Sequence, residues 1–221
     1  MSKDLSYQDE AHIFYIELSI ISLRNYWNLV ENNLAENHKL LLIKYQTIAK
    51  KYQEENYQGE DLDYFYRSAS QSLNEVEIGY SQRFRFSIII QLYSFIEDEL
   101  KKYCDNHYNV NSKEYRINDL KGNNDLDKIK KYLTQSAGKA IGENLLWPFI
   151  NDLRKLRNCI VHSNGVISET DSDYNSLKKF SKNNFIISEN NYDDFKIVLK
   201  EKEFIELCIN NVQTFLKSVI I

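Results

Sequence analysis

The sequence predicts an all-α protein with a small β-hairpin before its last helix. Only one proline and six glycines occur in 221 residues, whereas a β-sandwich or a β-barrel needs many more turn residues. Along most of the chain, apolar residues recur at steps of three and four, which is the period of one helix face. The pattern changes near residues 184–187 and 195–199, where two apolar stretches flank a turn-rich link and predict the hairpin.

The composition is that of an ordinary soluble globular protein, with 43% hydrophobic and 27% charged residues. The longest apolar run, Phe86–Ile90, is far too short to span a bilayer, so we expect no membrane partner. The first residues contain no apolar core of a signal peptide, and three widely spaced cysteines are an odd count. These features predict reduced thiols and a cytoplasmic location.

Charge is unevenly distributed along the chain. The formal net charge is −4, which excludes a global basic surface for nucleic acid. Residues 1–80 contain 7 Lys and Arg against 13 Asp and Glu, whereas residues 81–221 contain 21 against 19. RNA contact is therefore expected in the second part, and contact with a partner protein in the acidic first part. The alternative is that both parts are ordinary solvated surface.

Antiparallel helices are predicted for an N-terminal extension, residues 1–82. The first helix covers about 7–35 and ends at Glu36-Asn37-His38, and further helices follow over about 39–56 and 61–80. The first helix carries an apolar seam formed by Ile13, Ile16, Ile20, Leu23, Trp27, Val30 and Leu34. Such a seam is either intramolecular core or a dimeric coiled coil, and we favour the first interpretation.

Residues 83–221 are predicted to form a helical bundle. Four helices are expected, over about 82–108, 126–135, 148–163 and 202–218. Pro148 suits the first turn of its helix, because proline lacks the donor that is unpaired there in any case. Gly165 suits a left-handed stop at the end of the same helix.

The segment Leu156–Gly165 contains the residues that point most clearly to chemistry. It is predicted to end a helix on which Asn158 and His162 lie one turn apart on one face. The Arg157 side chain is long enough to reach that face and can hold two phosphate oxygens. His162 can transfer a proton, and Asn158 can orient the imidazole or a phosphate oxygen. Together these groups suit the cleavage of RNA with neither a metal nor a cofactor.

Arg157, Asn158 and His162, near the end of the third helix of a four-helix bundle, resemble the motif of HEPN domains. That motif is an arginine, four to six residues, and a histidine, usually with a polar residue after the arginine. The segment Tyr93–Leu100 also resembles the first bundle helix of these domains, which often carries an acid. The resemblance covers about residues 83–221. It implies a metal-independent endoribonuclease, active as a homodimer, of the toxin–antitoxin or phage-defence type.

Site residues follow from the same resemblance. It implies that Arg157, Asn158 and His162 form the active site and that Glu97 pairs with Arg157 across the bundle. A symmetric dimer would bring two such patches, and therefore two histidines, to one interface. Toxins that are silenced by adenylylation carry a tyrosine two residues after the histidine, where this chain has Asn164. The resemblance therefore does not extend to that form of regulation.

A further hypothesis is that basic residues outside the motif contact RNA. A path for RNA could be lined by Lys130, Lys131, Arg154 and Lys155. The alternative is that these residues are solvated surface, which is the usual role of a charge run. The remaining histidines of the acidic region, His12 and His38, are interpreted as surface residues.

Two other interpretations of the motif stay open. The Cys-x-x-His pairs Cys104/His107 and Cys159/His162 would form a zinc site if their helix ends met, but buried helical cysteines usually act as small apolar residues, so we expect no metal. The second alternative is a catalytically inactive module that uses the same residues to bind RNA, a nucleotide or a partner protein.

Overall fold

Helices form most of the structure, as the scarcity of proline and glycine predicts. The computed structural model describes residues 6–55, 57, 59–111, 113, 115–182, 184–191 and 194–221. Its α-helices are α1 (Tyr7–Glu54), α2 (Glu60–Asn74), α3 (Ser81–Asn111), α4 (Asp125–Gln135), α5 (Trp147–Ser163), α6 (Tyr174–Ser181) and α7 (Lys202–Ile220). Its strands are β1 (Val166–Ser168), β2 (Ile186–Asn191) and β3 (Asp194–Val198). Among the described helices, none is both long and apolar enough to cross a membrane.

The first helix is a single element, whereas the sequence predicted two. α1 runs through Glu36-Asn37-His38, the segment that was expected to end the first helix. Each of these residues costs less than about 0.7 kcal/mol of helix propensity relative to alanine. Neither proline nor glycine occurs between Tyr7 and Glu54, so nothing interrupts the backbone hydrogen bonds. The predicted break was wrong because polar residues alone do not stop a helix.

A short π-helix, Glu75–Tyr80, joins α2 to α3. The sequence predicted two helices, over about 61–80 and 82–108, with an interruption between them. The backbone instead stays helical through this point. In a π-helix, backbone hydrogen bonds join residues five positions apart. The Ser81 side chain spans the same interval, because its hydroxyl donates to the Val76 carbonyl at 3.3 Å.

The chain divides into two compact units. One is Leu23–Arg85, and the other comprises Phe86–Ile221 together with the described part of Met1–Ser22. The sequence assigned all of residues 1–82 to one extension, whereas the start of α1 groups here with the C-terminal unit. α1 therefore begins in one unit and ends in the other.

Aromatic packing and a buried ion pair hold the Leu23–Arg85 unit together. The rings of Trp27 and Phe84 are stacked, with their centroids 5.4 Å apart. The Arg85 guanidinium donates two hydrogen bonds of 2.9 Å to the carboxylate of Glu31. Both side chains of this pair are largely buried, so the paired geometry limits the cost of removing the two charges from water.

The apolar seam predicted on α1 packs inside this chain. Ile16, Ile20 and Trp27 are fully buried by other parts of the same chain. The seam is therefore intramolecular core, as the sequence analysis favoured, and its buried members are not free for a coiled coil with another chain.

β1, β3 and β2 form an antiparallel sheet in that order. β2 and β3 form the predicted hairpin, with Ile186 opposite Val198. Residues 192–193 of the predicted link lie outside the described residues. The prediction of a hairpin before the last helix is therefore confirmed for the two paired strands.

Two short elements, β1 and α6, were not predicted. β1 has three residues, too few to show an alternating pattern, and pairs with β3 with Val166 opposite Lys196. α6 has eight residues and buries Tyr174, Leu177 and Phe180. A stretch of two helical turns contains too few apolar repeats to be distinguished from a loop.

Candidate functional site

The predicted site lies on the last two turns of α5. The helix begins at Trp147-Pro148 and buries Leu153, Leu156 and Ile160 on one side. It ends directly after Ser163, because Asn164 adopts a left-handed conformation with a φ of 50°. The stop signal predicted from the Asn-Gly pair is confirmed, and it fixes the point at which the chain leaves the helix after His162.

Gly165 ties the end of α5 to the rest of its unit. Its φ is 76°, and a Cβ at this position would lie 2.6 Å from the Cζ atom of Phe86 on α3. The Gly165 carbonyl also accepts a hydrogen bond of 2.8 Å from the Ile197 amide on β3. The turn that follows His162 is therefore held from two sides.

Arg157 is held by contacts other than an ion pair. Its Nη1 donates to the Asn158 Oδ1 at 3.1 Å, and its guanidinium carbon lies 5.7 Å from the centroid of the Tyr93 ring on α3. Its Nε is buried and has no hydrogen-bond partner among the described residues. The guanidinium thus stacks on an aromatic ring and keeps most of its donors for other acceptors.

Glu97 does not pair directly with Arg157. Among the described residues, no carboxylate forms an ion pair with the Arg157 guanidinium, so the expected Arg157–Glu97 ion pair is not formed. The two residues instead share Tyr93 as a neighbour. Burial, and then the negative charge and the hydrogen bonding of Glu97, raise the pKa of the Tyr93 phenol, whereas the positive charges of Arg154 and Arg157 act in the opposite direction. The phenol therefore stays protonated.

His162 is exposed on the surface of α5. It lies four residues, and so about one helical turn, from the half-buried Asn158. Within the described part of the chain the imidazole has no hydrogen-bond partner. An exposed imidazole one helical turn from an amide can donate or accept a proton at a phosphodiester that reaches the helix end.

The basic residues predicted to line an RNA path do not form one surface. Lys155 donates to the Ser176 hydroxyl at 2.6 Å, and that hydroxyl donates to the Asp152 carboxylate at 2.7 Å. Lys155 therefore joins α5 to α6. Arg154 is half-buried close to Tyr93, so it is the one of the four that lies beside Arg157.

Lys130 and Lys131 lie far from His162. The ammonium of Lys130 is 5.3 Å from the centroid of the Trp147 ring, at the first residue of α5. Lys131 is exposed and donates to the Lys121 carbonyl at 2.6 Å. Trp147 and His162 are separated by 15 residues of one helix, or about 22 Å along its axis. An RNA would have to span this distance to touch both ends.

The zinc interpretation finds little geometric support. The Cys159 thiol donates to the Val166 carbonyl at 3.4 Å, and burial, followed by the charges of Asp171 and Asp173, raises its pKa to about 11. The other pair is engaged locally, because the His107 Nδ1 lies 3.2 Å from the Tyr132 hydroxyl. The described residues contain no group of three or more metal-ligating side chains.

A buried charge cluster on α1 and α3 escaped the sequence analysis. The His12 Nε2 lies 2.8 Å from the Glu99 carboxylate, and the Lys102 ammonium donates to the same carboxylate at 2.8 Å. The side chains of His12 and Glu99 are only 10% and 1% exposed, so the interpretation of His12 as a surface residue was wrong. One signal was present, because Glu99 falls on the apolar stripe of Leu92, Ile96 and Tyr103. A carboxylate on such a stripe requires a buried partner.

The cluster makes stability depend on pH. Burial alone would raise the pKa of the Glu99 carboxyl, but hydrogen bonds from His12 and Lys102 and the charge of Lys102 outweigh it, so the pKa is lowered from 4.5. A carboxyl with a lowered folded-state pKa contributes stability that is fully present above the unfolded value. That contribution is lost as the pH falls through the folded value.

Glu99→Gln is expected to lower the free energy of unfolding at pH 7 by about 2–3 kcal/mol, because it removes the buried counter-charge of the Lys102 ammonium and the carboxylate that binds His12. This loss is smaller than the roughly 3–5 kcal/mol lost when a fully buried ion pair is broken, because Lys102 is half exposed and screened by water. Urea denaturation from pH 7 to pH 2.5 should show a flatter acid limb below about pH 4.5 than the wild type. Asp98→Asn, which removes an exposed partner of Lys102, is the control and should change stability little. Equal pH profiles for wild type and Glu99→Gln would contradict this account.

Comparison with protein-family models gives no match, and comparisons with curated proteins and with solved structures give none either. The resemblance to HEPN domains therefore depends on the motif residues and their place in the helices.

Proposed function

We propose that the chain is a metal-independent endoribonuclease with a HEPN-like helical bundle. The observation that carries the proposal is the exposed imidazole of His162 on the helix end that also presents Asn158 and Arg157. The stacking of Arg157 on Tyr93 supports it, because a guanidinium outside an ion pair is available for a phosphate. A protonated thiol at Cys159 makes nucleophilic catalysis by this neighbour a poor alternative.

In the proposed reaction, the ribose 2′-oxygen attacks the adjacent phosphorus while the bond from phosphorus to the 5′-oxygen breaks. One imidazole removes the proton from the 2′-hydroxyl, and another gives a proton to the departing 5′-oxygen. Arg157 offsets the charge that develops on the phosphoryl oxygens, and Asn158 orients an oxygen or the imidazole. The products are a 2′,3′-cyclic phosphate and a free 5′-hydroxyl.

The reaction is proposed to require a homodimer. One chain supplies a single imidazole on α5, whereas cleavage by this route uses both an acid and a base, and a two-fold axis near the helix ends would supply the second one. We place the protein in the cytoplasm and among toxin–antitoxin or phage-defence nucleases. Its N-terminal helices would be the part that contacts an antitoxin or sensor protein.

Cleavage of total RNA by the purified protein is expected to persist in excess EDTA, because the proposed groups need no metal. The products should carry 2′,3′-cyclic phosphate ends, which mass spectrometry distinguishes from the 3′-hydroxyl ends left by most metal-dependent nucleases. A DNA of the same sequence is the control and should stay intact, because it lacks the attacking hydroxyl. Abolition of cleavage by EDTA would count against the mechanism.

A second candidate function is that of a catalytically inactive binding module. The observation that favours it is the number of large apolar side chains on the surface of the Leu23–Arg85 unit, among them Leu40, Ile43, Tyr64, Tyr66 and Ile78. Exposed apolar surface of this extent commonly marks a site for another protein. This function predicts saturable binding of RNA or of a partner with no turnover, so the EDTA experiment separates the two candidates.

A further inference from the structure

Tyr93 is a buried side chain whose hydroxyl has no evident structural use. The residue is only 2% exposed, and its hydroxyl forms no hydrogen bond of normal length and angle among the described residues. A buried donor without an acceptor destabilises the folded state, whereas phenylalanine would fill the same space without that cost. Packing therefore accounts for the ring but not for the hydroxyl.

The surroundings of Tyr93 connect it to the proposed site. The Arg157 guanidinium lies over its ring, and the buried Nε of Arg157 is likewise without a partner. Glu97 follows Tyr93 by one turn on α3, and its charge acts on the phenol. Glu97 and Arg157 thus flank one tyrosine without forming an ion pair with each other.

A carboxylate near a guanidinium would normally form an ion pair with it, and a paired guanidinium has fewer donors left for a phosphate. The phenol hydroxyl is a competing donor for the same carboxylate. A small rotation of Glu97 that satisfies the hydroxyl keeps the carboxylate from Arg157. This competition would account both for a buried tyrosine where phenylalanine would fit and for the absence of an Arg157–Glu97 ion pair among the described residues.

We propose that Tyr93 is a positioning residue for Arg157: its ring supports the guanidinium, and its hydroxyl competes with Arg157 for the Glu97 carboxylate, so that Arg157 is left to bind a phosphate of RNA. This inference rests on the proposed function to the extent that the α5 site binds a phosphodiester.

The test uses binding rather than cleavage, with a single-stranded 2′-O-methyl RNA that has no free 2′-hydroxyl and cannot be cut. Tyr93→Phe is expected to weaken its binding by about tenfold, the loss that follows when one charge-assisted hydrogen bond is given up. The melting temperature of the free protein should change little, because the hydroxyl forms no hydrogen bond of normal geometry there. In the double variant Tyr93→Phe/Glu97→Gln, binding should return close to the wild-type affinity, because no charged carboxylate remains to pair with Arg157.

Tyr132→Phe is the matched control. Tyr132 is as buried as Tyr93, but its hydroxyl is paired with His107, so the change should lower the melting temperature and leave RNA binding unaltered. The proposal is overturned if Tyr93→Phe binds RNA like the wild type, if it loses as much stability as Tyr132→Phe, or if Glu97→Gln restores nothing.

Failure of this inference can be told apart from failure of the proposed function. Binding that depends on Arg157 and Tyr93 in a protein that never cleaves RNA would overturn the nuclease and support the positioning role. Wild-type binding that Arg157→Ala leaves unchanged would overturn the positioning role whether or not the protein cleaves.

Discussion

His162→Ala is expected to slow RNA cleavage by about 100- to 10 000-fold, the usual contribution of a positioned general acid or base. The imidazole is exposed at the end of α5, so its removal leaves no buried group without a partner, and stability should not change. The measurement is the initial rate of cleavage of a fluorophore-labelled RNA in the presence of EDTA, with the melting temperature followed in parallel.

Two further variants sharpen this experiment. His38→Ala removes a partly exposed histidine from the other compact unit and should leave cleavage unchanged. Arg157→Lys keeps the positive charge but loses the planar pair of donors, so its rate should fall between those of wild type and Arg157→Ala. A His162→Ala protein that cuts RNA at the wild-type rate would remove His162 from the mechanism and leave the binding module as the better interpretation.

Gly165→Ala is expected to lower the free energy of unfolding by about 2–5 kcal/mol. Two costs add at this position. A left-handed backbone costs an alanine about 1–2 kcal/mol, and the new Cβ would lie 2.6 Å from the buried Phe86 ring, an overpacking that costs about 1–3 kcal/mol. Urea denaturation followed by circular dichroism measures the change.

Gly138→Ala separates the two costs. Gly138 also has a positive φ, 66°, but a Cβ there would meet nothing within 4 Å, so only the backbone cost of about 1–2 kcal/mol applies. The difference between the two variants isolates the contact with Phe86. Equal losses of stability would mean that Phe86 moves aside at little cost and that Gly165 is needed for its backbone conformation alone.

The helices that the sequence located best are those with chemical signals at their ends. α5 was placed to within a residue because Pro148 suits its first turn and the Asn-Gly pair its last. α1 was divided wrongly because Glu36, Asn37 and His38 look polar without being helix breakers. β1 was missed because three residues become a strand only through their pairing with β3, about 30 residues away. Such long-range pairing leaves no local pattern.

In the candidate site, too, relations within one helix could be predicted from the sequence, whereas contacts between distant residues could not. Arg157, Asn158 and His162 lie on one helix, so their spacing alone placed them together. The stacking of Arg157 on Tyr93 joins residues 64 positions apart, and the pairing of His12 with Glu99 joins residues 87 apart. Neither follows from a helical period. Glu97 acts on Tyr93 and forms no ion pair with Arg157 among the described residues, a difference that follows from a tyrosine on α3 that was not foreseen.

The short strand after Gly165 has a consequence for how such a protein could evolve. β1 is paired with β3, and the Gly165 carbonyl is bound by the Ile197 amide, so the hairpin anchors the turn that directly follows His162. Substitutions in β3 are therefore expected to alter the position of His162 while every residue of the motif stays the same. Such substitutions would tune the proposed activity, and a comparison of motif residues alone would not detect them.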